Sequence, residues 1–182
     1  MQPTKDSFYI ALRDRLAALF PARTIDLGGQ QRPAILVPEN EVRTALDAPV
    51  PFDSIAASKT RVPDCFYLQF GAAALAKPGA ATAADAQPLM SLRCSIVYAT
   101  SGTPSSTGAD RGRMLASLDA QLLAICSPAI AAKLDFTQQP PRALGTNLVW
   151  SQPELGPPLA LGLELRRTAQ LSIFFYPEVS LA

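Results

Sequence analysis

The sequence predicts an α+β fold: a small mixed, mostly antiparallel sheet of about four to five strands, packed with two main helices and carrying long Pro/Ala/Gly-rich loops. Three observations lead there. Two segments repeat apolar residues at helical spacing, one near the start and one past the middle. The stretch LMSLRCSIVYATSG alternates with a period of two, as a half-buried strand does. And 17 prolines break the remaining text into short pieces.

At 182 residues the chain is read as one domain, 1–182. Hydrophobic residues make up 48% and the formal net charge is +1, which suits a globular chain and argues against a broad electrostatic footprint for nucleic acid. The basic residues are 12 Arg and 4 Lys, a bias that suits protein–protein contacts.

TKDSFYIALRDRLAALFPA reads as the first helix. Phe8, Leu12, Leu16 and Leu19 share a face, Asp6 or Ser7 is placed to cap the start, and Pro21 stops the end. Gly28-Gly29 marks a turn between two short apolar runs, and Ala34 to Val37 is a buried strand candidate. Residues 39–63 form an irregular excursion. DCFYLQF, Asp64 to Phe70, is an aromatic-rich strand. Residues 72–88, built of Ala, Pro, Gly and Thr, read as an exposed arm.

Met90, Leu92, Cys94, Ile96 and Tyr98 then line one face of the clearest strand. GADRGRMLASLDAQLLAICSP follows as the second helix, with Met114, Leu118, Leu122 and Ile125 at helical spacing and Asp110 at its positive end. GTNLVW is a short strand, QPELGPPLALGLEL a punctuated connector with room for an extended piece, and RRTAQLSIFFYPE the closing strand. Leu171, Ile173 and Phe175 on one face and Ser172, Phe174 and Tyr176 on the other make this last strand central or covered. One face is expected against helices and the other near a neighbour. The expected core is Phe8, Leu12, Leu16, Leu92, Cys94, Ile96, Leu118, Leu122, Leu171 and Ile173.

Chemistry is constrained mostly by what is missing. With no His, a Ser-His-Asp triad, a Cys-His pair and a histidine base are all impossible. Cys65, Cys94 and Cys126 are far apart, form no CxxC, and read as reduced, mostly buried thiols in a reducing cytoplasm. The interrupted run FYIALRDRLAALF is no export signal and no segment is apolar enough to span a membrane. The strand–loop–helix stretch around ATSGTPSSTGADRG invites comparison with phosphate loops. But it lacks the Lys of a Walker loop, and Gly102, Gly108 and Gly112 have the wrong spacing for a dinucleotide fingerprint. The loop at 101–111 is read instead as mobile, ordering against a partner, as is the arm at 72–88. Glu39 and Glu41 beside a strand end could hold a cation, but a solvated loop is the commoner meaning. No catalytic, cofactor-binding or metal-binding residue is assigned, and the chain is expected not to be an enzyme.

The order of elements, with LRDRLAALFP at the start, LMSLRCSIVYATSG before GADRGRMLASLDAQLLAI and ELRRTAQLSIFFYPE at the end, resembles the tail terminator proteins of bacteriophages and phage-like contractile injection systems. The likeness is one of pattern, over about residues 6–178. It implies a structural protein without cofactors, forming a ring of six in the virion tail, assembled in the host cytoplasm. That ring caps the head-proximal end of the tail tube and joins it to the neck. The partners it implies are further copies of the chain, the tube protein, and sheath and neck proteins, with DNA only as passing cargo and no membrane. The alternatives are another neck, head–tail joining or baseplate component, or a small ligand-binding protein or enzyme.

Overall fold

The computed structural model describes residues 1–27, 29–37, 63–76 and 88–177, with the side chain of Leu27 left aside. The excursion at 39–62 and residues 77–87 of the expected arm lie outside them.

Helix α1 spans Gln2–Leu19, with Pro3 in its first turn, where the missing N–H costs nothing. It buries Phe8, Tyr9, Leu12 and Leu16. Two expectations fail here. Asp6 and Ser7 do not cap the helix, because it begins at Gln2. Asp6 instead accepts a hydrogen bond from Gln2 (2.9 Å), and Ser7 bonds the backbone of Leu134. Leu19 is 53% exposed, since the chain turns inward at Phe20 and that ring packs on the core in its place.

Strands β1 (Thr24–Leu27) and β2 (Gln30–Pro33) form a separate hairpin turning at Gly29, whose φ of +82° suits glycine. The main sheet has eight strands. They are β3 (Ile35–Leu36), β4 (Phe66–Leu75), β5 (Met90–Thr100), β6 (Ile130–Asp135), β7 (Arg142–Trp150), β8 (Glu154–Leu155), β9 (Leu159–Leu161) and β10 (Glu164–Phe175). Its order is β3-β4-β5-β10-β7-β6, and β8 and β9 also pair with β10. Among the described residues only β3 and β4 run parallel; the other pairs are antiparallel. The sheet is therefore mixed and mostly antiparallel as expected, but larger than four to five strands. The additional ones are β8 and β9, short pieces in Pro/Gly-punctuated text, and β6, whose Ala- and Lys-containing IAAKLD carries little intrinsic strand signal.

The arm expected at 72–88 starts later than that. Residues up to Leu75 continue β4, with Ala73 opposite Leu92 and Leu75 opposite Met90 beyond a bulge after Phe70. Alanines with weak strand propensity are held there by the long partner β5.

Helix α2 spans Arg111–Ile125 and buries Leu115, Leu118, Leu122 and Ile125. Met114 is only half-buried; Leu115 takes the position expected of it. Both helices lie on one face of the sheet. That face supplies Leu92, Cys94 and Ile96 from β5, Leu148 and Trp150 from β7, and Ala169, Leu171, Ile173 and Phe175 from β10. All ten expected core residues are buried, none more than 3% exposed. Phe8 meets Trp150 edge-on at 5.4 Å and Phe70 at 6.3 Å. Arg15 fastens α1 to the end of α2, donating to the Ser127 carbonyl (2.8 Å) and hydroxyl while lying over the Trp150 ring. Trp150 in turn donates its Nε1 hydrogen to the Cys126 carbonyl at 3.2 Å.

The two lateral margins of the sheet differ. At β6, Ser7 of α1 takes the Leu134 N–H on its hydroxyl oxygen at 2.9 Å and returns a longer bond to the Leu134 carbonyl. At β4, among the described residues, the outward pairing is that of Phe66 and Tyr67 with β3.

Candidate interaction surface

The loop after β5 is closed on itself. Asp110, just before α2, accepts hydrogen bonds from the Thr103 N–H (2.9 Å) and hydroxyl (2.7 Å), from the Ser106 hydroxyl, and from Arg113 (3.3 Å). Residues Pro104–Ser106 form one 3₁₀ turn inside this ring of donors. Gly102 and Gly108 have φ of +80° and +84°, and a Cβ on Gly102 would lie 2.5 Å from an Asp110 oxygen. In the loop expected to be mobile at 101–111, short-range bonds to one carboxylate thus close the turn on itself. A phosphate reading fails for a related reason, because Asp110 already takes the donors an anion would need.

These bonds hold the Asp110 carboxyl far below the usual carboxylate range: Ser106 contributes most, then Thr103, then Arg113. Because the folded state binds this proton more weakly, the loop's stabilisation is present above the ordinary value of about 3.9 and is lost only as pH falls well below it. The Thr103 amide resonance, which reports the carboxylate directly, stays constant from pH 7 down to pH 4 in a titration followed by NMR. An inflection close to pH 4 would show that Asp110 is not bonded in this way.

A second polar cluster joins α2 to the sheet. The Tyr98 hydroxyl donates to Asp119 at 2.5 Å, and Arg167 of β10 pairs with the same carboxylate oxygen at 3.3 Å. Burial and then the Asp119 bond push the Tyr98 hydroxyl well above its ordinary value. The cluster docks a helix. The thiols of Cys65, Cys94 and Cys126 are free and buried; burial pushes Cys126 up to about 12 and Cys65 higher still, so neither is a ready nucleophile. Glu39 and Glu41 lie outside the described residues, and among those described no three His, Cys, Asp or Glu side chains gather as metal ligands would. No helix among them is long and apolar enough to cross a membrane.

What remains is a surface. Opposite the helices, the other face of the sheet is buried beside β4, at Tyr67 and Val97, and exposes apolar residues at two ends of β10, where its register aligns side chains across five strands. Ile130 pairs with Val149, Val149 with Phe174, Phe174 with Ser91, and Ser91 with Ala74. Ile130, Val149 and Phe174 line a shallow hollow of about 400 Å³ together with Leu89 and Tyr176. At the other end of β10, Leu159 and Leu161 stand opposite Arg166 and Glu164 on this same face, and Leu163 at the hairpin turn is 82% exposed. Of the ten large hydrophobic residues exposed among those described, seven belong to these two ends, which is a concentration and not scatter. Between them lies a polar waist with a hollow of about 220 Å³ lined by Arg93, Ser151, Glu154, Gln170 and Ser172.

The two-faced aromatic pattern of the closing strand pointed at this surface, through Phe174 and Tyr176. Ile130 and Val149 were missed as members of it, because nothing local says that β6 and β7 lie beside β10. No protein-family model matches the chain, and neither does any curated protein sequence.

Proposed function

We propose that the chain is a structural subunit of a phage or phage-like tail: a tail terminator, forming a ring of six that caps the head-proximal end of the tail tube and joins it to the neck. The observation that carries this reading is the concentration of exposed apolar residues at two ends of one face of the sheet. A subunit that concentrates its exposed hydrophobic residues on one side of a sheet is built to be covered by protein. The resemblance in element order supplies the particular role, and the self-closed loop after β5 agrees with a part that assembles instead of turning over a substrate. Ring neighbours meet through two different patches, and the margin of β4 beyond its pairing with β3 is suited to one of them. The partners are the tube protein, and sheath and neck proteins where the tail has them.

Deleting the gene tests the role. The expected particles have tails of abnormal length, or tails that do not join heads. Tails of normal length joined to heads in the deletion would rule the role out. Normal-length tails lying free beside finished heads would assign the chain to head–tail joining alone.

A further inference from the structure

We propose that copies of this chain join head to tail, the leucine hairpin between β9 and β10 of one copy seating in the apolar hollow beside Phe174 of the next. The pairing stands or falls on its own and is separate from any contact at the β4 margin. Only its closure into six rests on the ring reading.

The hairpin is a plug. Every residue from Pro157 to Leu163, PPLALGL, is exposed, and none of them carries a charge or a side-chain hydrogen-bonding group. Leu163 is 82% exposed, Leu159 57% and Leu161 49%. Leucines crowded on one projecting turn gain from any cover that takes them out of water. The hairpin is also held in shape before contact. Leu161 pairs with Glu164 and Leu159 with Arg166, Gly162 turns the chain at a φ of +59°, and Arg111 of α2 donates to the Gly162 carbonyl at 3.4 Å. Little ordering is left to oppose binding.

The hollow is the matching socket. Leu89, Ile130, Val149, Phe174 and Tyr176 wall it, and no charged residue lines it. Its volume of about 400 Å³ corresponds to about a dozen waters, which an apolar occupant would displace. A charged occupant would find no counter-group there. An uncharged backbone does find one, because Asn147 lines the hollow and its amide both donates and accepts. Strand β9 brings such a backbone: among the described residues it pairs with β10 on one side only, so its outer edge is available to Asn147.

One chain supplies both halves and cannot bring its own together. They lie at opposite ends of β10, whose 12 residues extend about 38 Å, and the polar waist with Arg93, Glu154 and Gln170 lies between. A foreign partner that fits the plug or the socket leaves the other end wet. A second copy fits one, a third fits the other, and so all seven exposed hydrophobic residues of the two ends are covered by a single kind of contact. The two patches are unlike, so addition continues until the series closes on itself.

Sedimentation of the full-length chain at about 100–500 µM tests this, since one hairpin in one hollow is at the small end of protein contacts. The wild type sediments above the 19.3 kDa of one chain. Ile130→Glu blocks the hollow and Leu163→Glu the hairpin. Both side chains are mostly in water, so both variants keep the wild-type far-ultraviolet spectrum. Each alone stays monomeric, its dissociation constant raised at least about tenfold. Mixed, they form a one-to-one pair that grows no further, because the first still has its hairpin and the second its hollow. Val149→Glu or Leu159→Glu replaces a variant that loses the spectrum. A monomeric wild type overturns the proposal, and so does either variant assembling as the wild type does. A wild type that assembles while the mixed variants stay apart overturns the pairing and leaves the ring reading standing. Mixed variants that pair, beside a wild type that grows as an open series of lengths, uphold the pairing and remove the ring of six.

Discussion

Replacing Phe8 with alanine lowers the unfolding free energy by about 3–5 kcal/mol, which for a chain of this length moves the thermal midpoint down by about 6–20 °C. Phe8 is fully buried and is the point where α1 meets two separated strands, through the Trp150 ring of β7 and the Phe70 ring of β4. Its removal leaves a cavity between a helix and a sheet that are each held by other contacts, so neither collapses fully into the space. Arg15 still ties α1 to Ser127, and Ser7 still ties it to Leu134. Trp150 is the only tryptophan in the chain, so denaturant unfolding read by its fluorescence follows the affected site itself. A loss below about 1 kcal/mol would mean that α1 does not dock here.

Leu118→Ala is the second large effect, about 2–5 kcal/mol. Leu118 lies at the middle of the buried face of α2, between Leu115 and Leu122, and is 1% exposed. The next residue, Asp119, holds the Tyr98 hydroxyl and Arg167, so any drift of the helix toward the new cavity strains a polar cluster with little freedom to follow. Leu118→Met, which keeps the volume, costs less than about 1.5 kcal/mol in the same thermal or denaturant melt. Equal losses for the two variants would show that shape at this site matters more than volume.

Fold class was legible because its carriers are local. The alternation of Met90 to Tyr98 depends only on neighbours in sequence, and so does the spacing of Leu118, Leu122 and Ile125. The buried positions taken from those periods are buried in the structure. What was illegible depends on partners far along the chain. β6 is a strand because β7 supplies its hydrogen bonds, not because IAAKLD prefers one, and residues 72–75 extend β4 because β5 is long enough to hold them. Leu19 failed for a different reason: periodicity places a residue on a face but does not say where the sheet beneath it ends. In the loop after β5, Thr103, Ser106 and Asp110 form a local hydroxyl–carboxylate pattern that was readable as a closed turn. The exposed apolar row was half legible, because aromatics on both sides of one strand mark it as contacted twice, while the row that joins Phe174 to Ile130 exists only once three strands are aligned.

The bond between Ser7 and Leu134 has a consequence for how copies of this chain can grow together. A sheet whose two margins are both available can be lengthened without limit, each copy offering the next a fresh template, and that is the route to fibres. Here a side chain from the first helix already takes the backbone of Leu134 at the β6 margin, so a strand adding there would have to displace it. Edge-wise growth at β6 is therefore opposed at that one position. The hydroxyl that settles a helix against a strand thus also guards part of the sheet's edge.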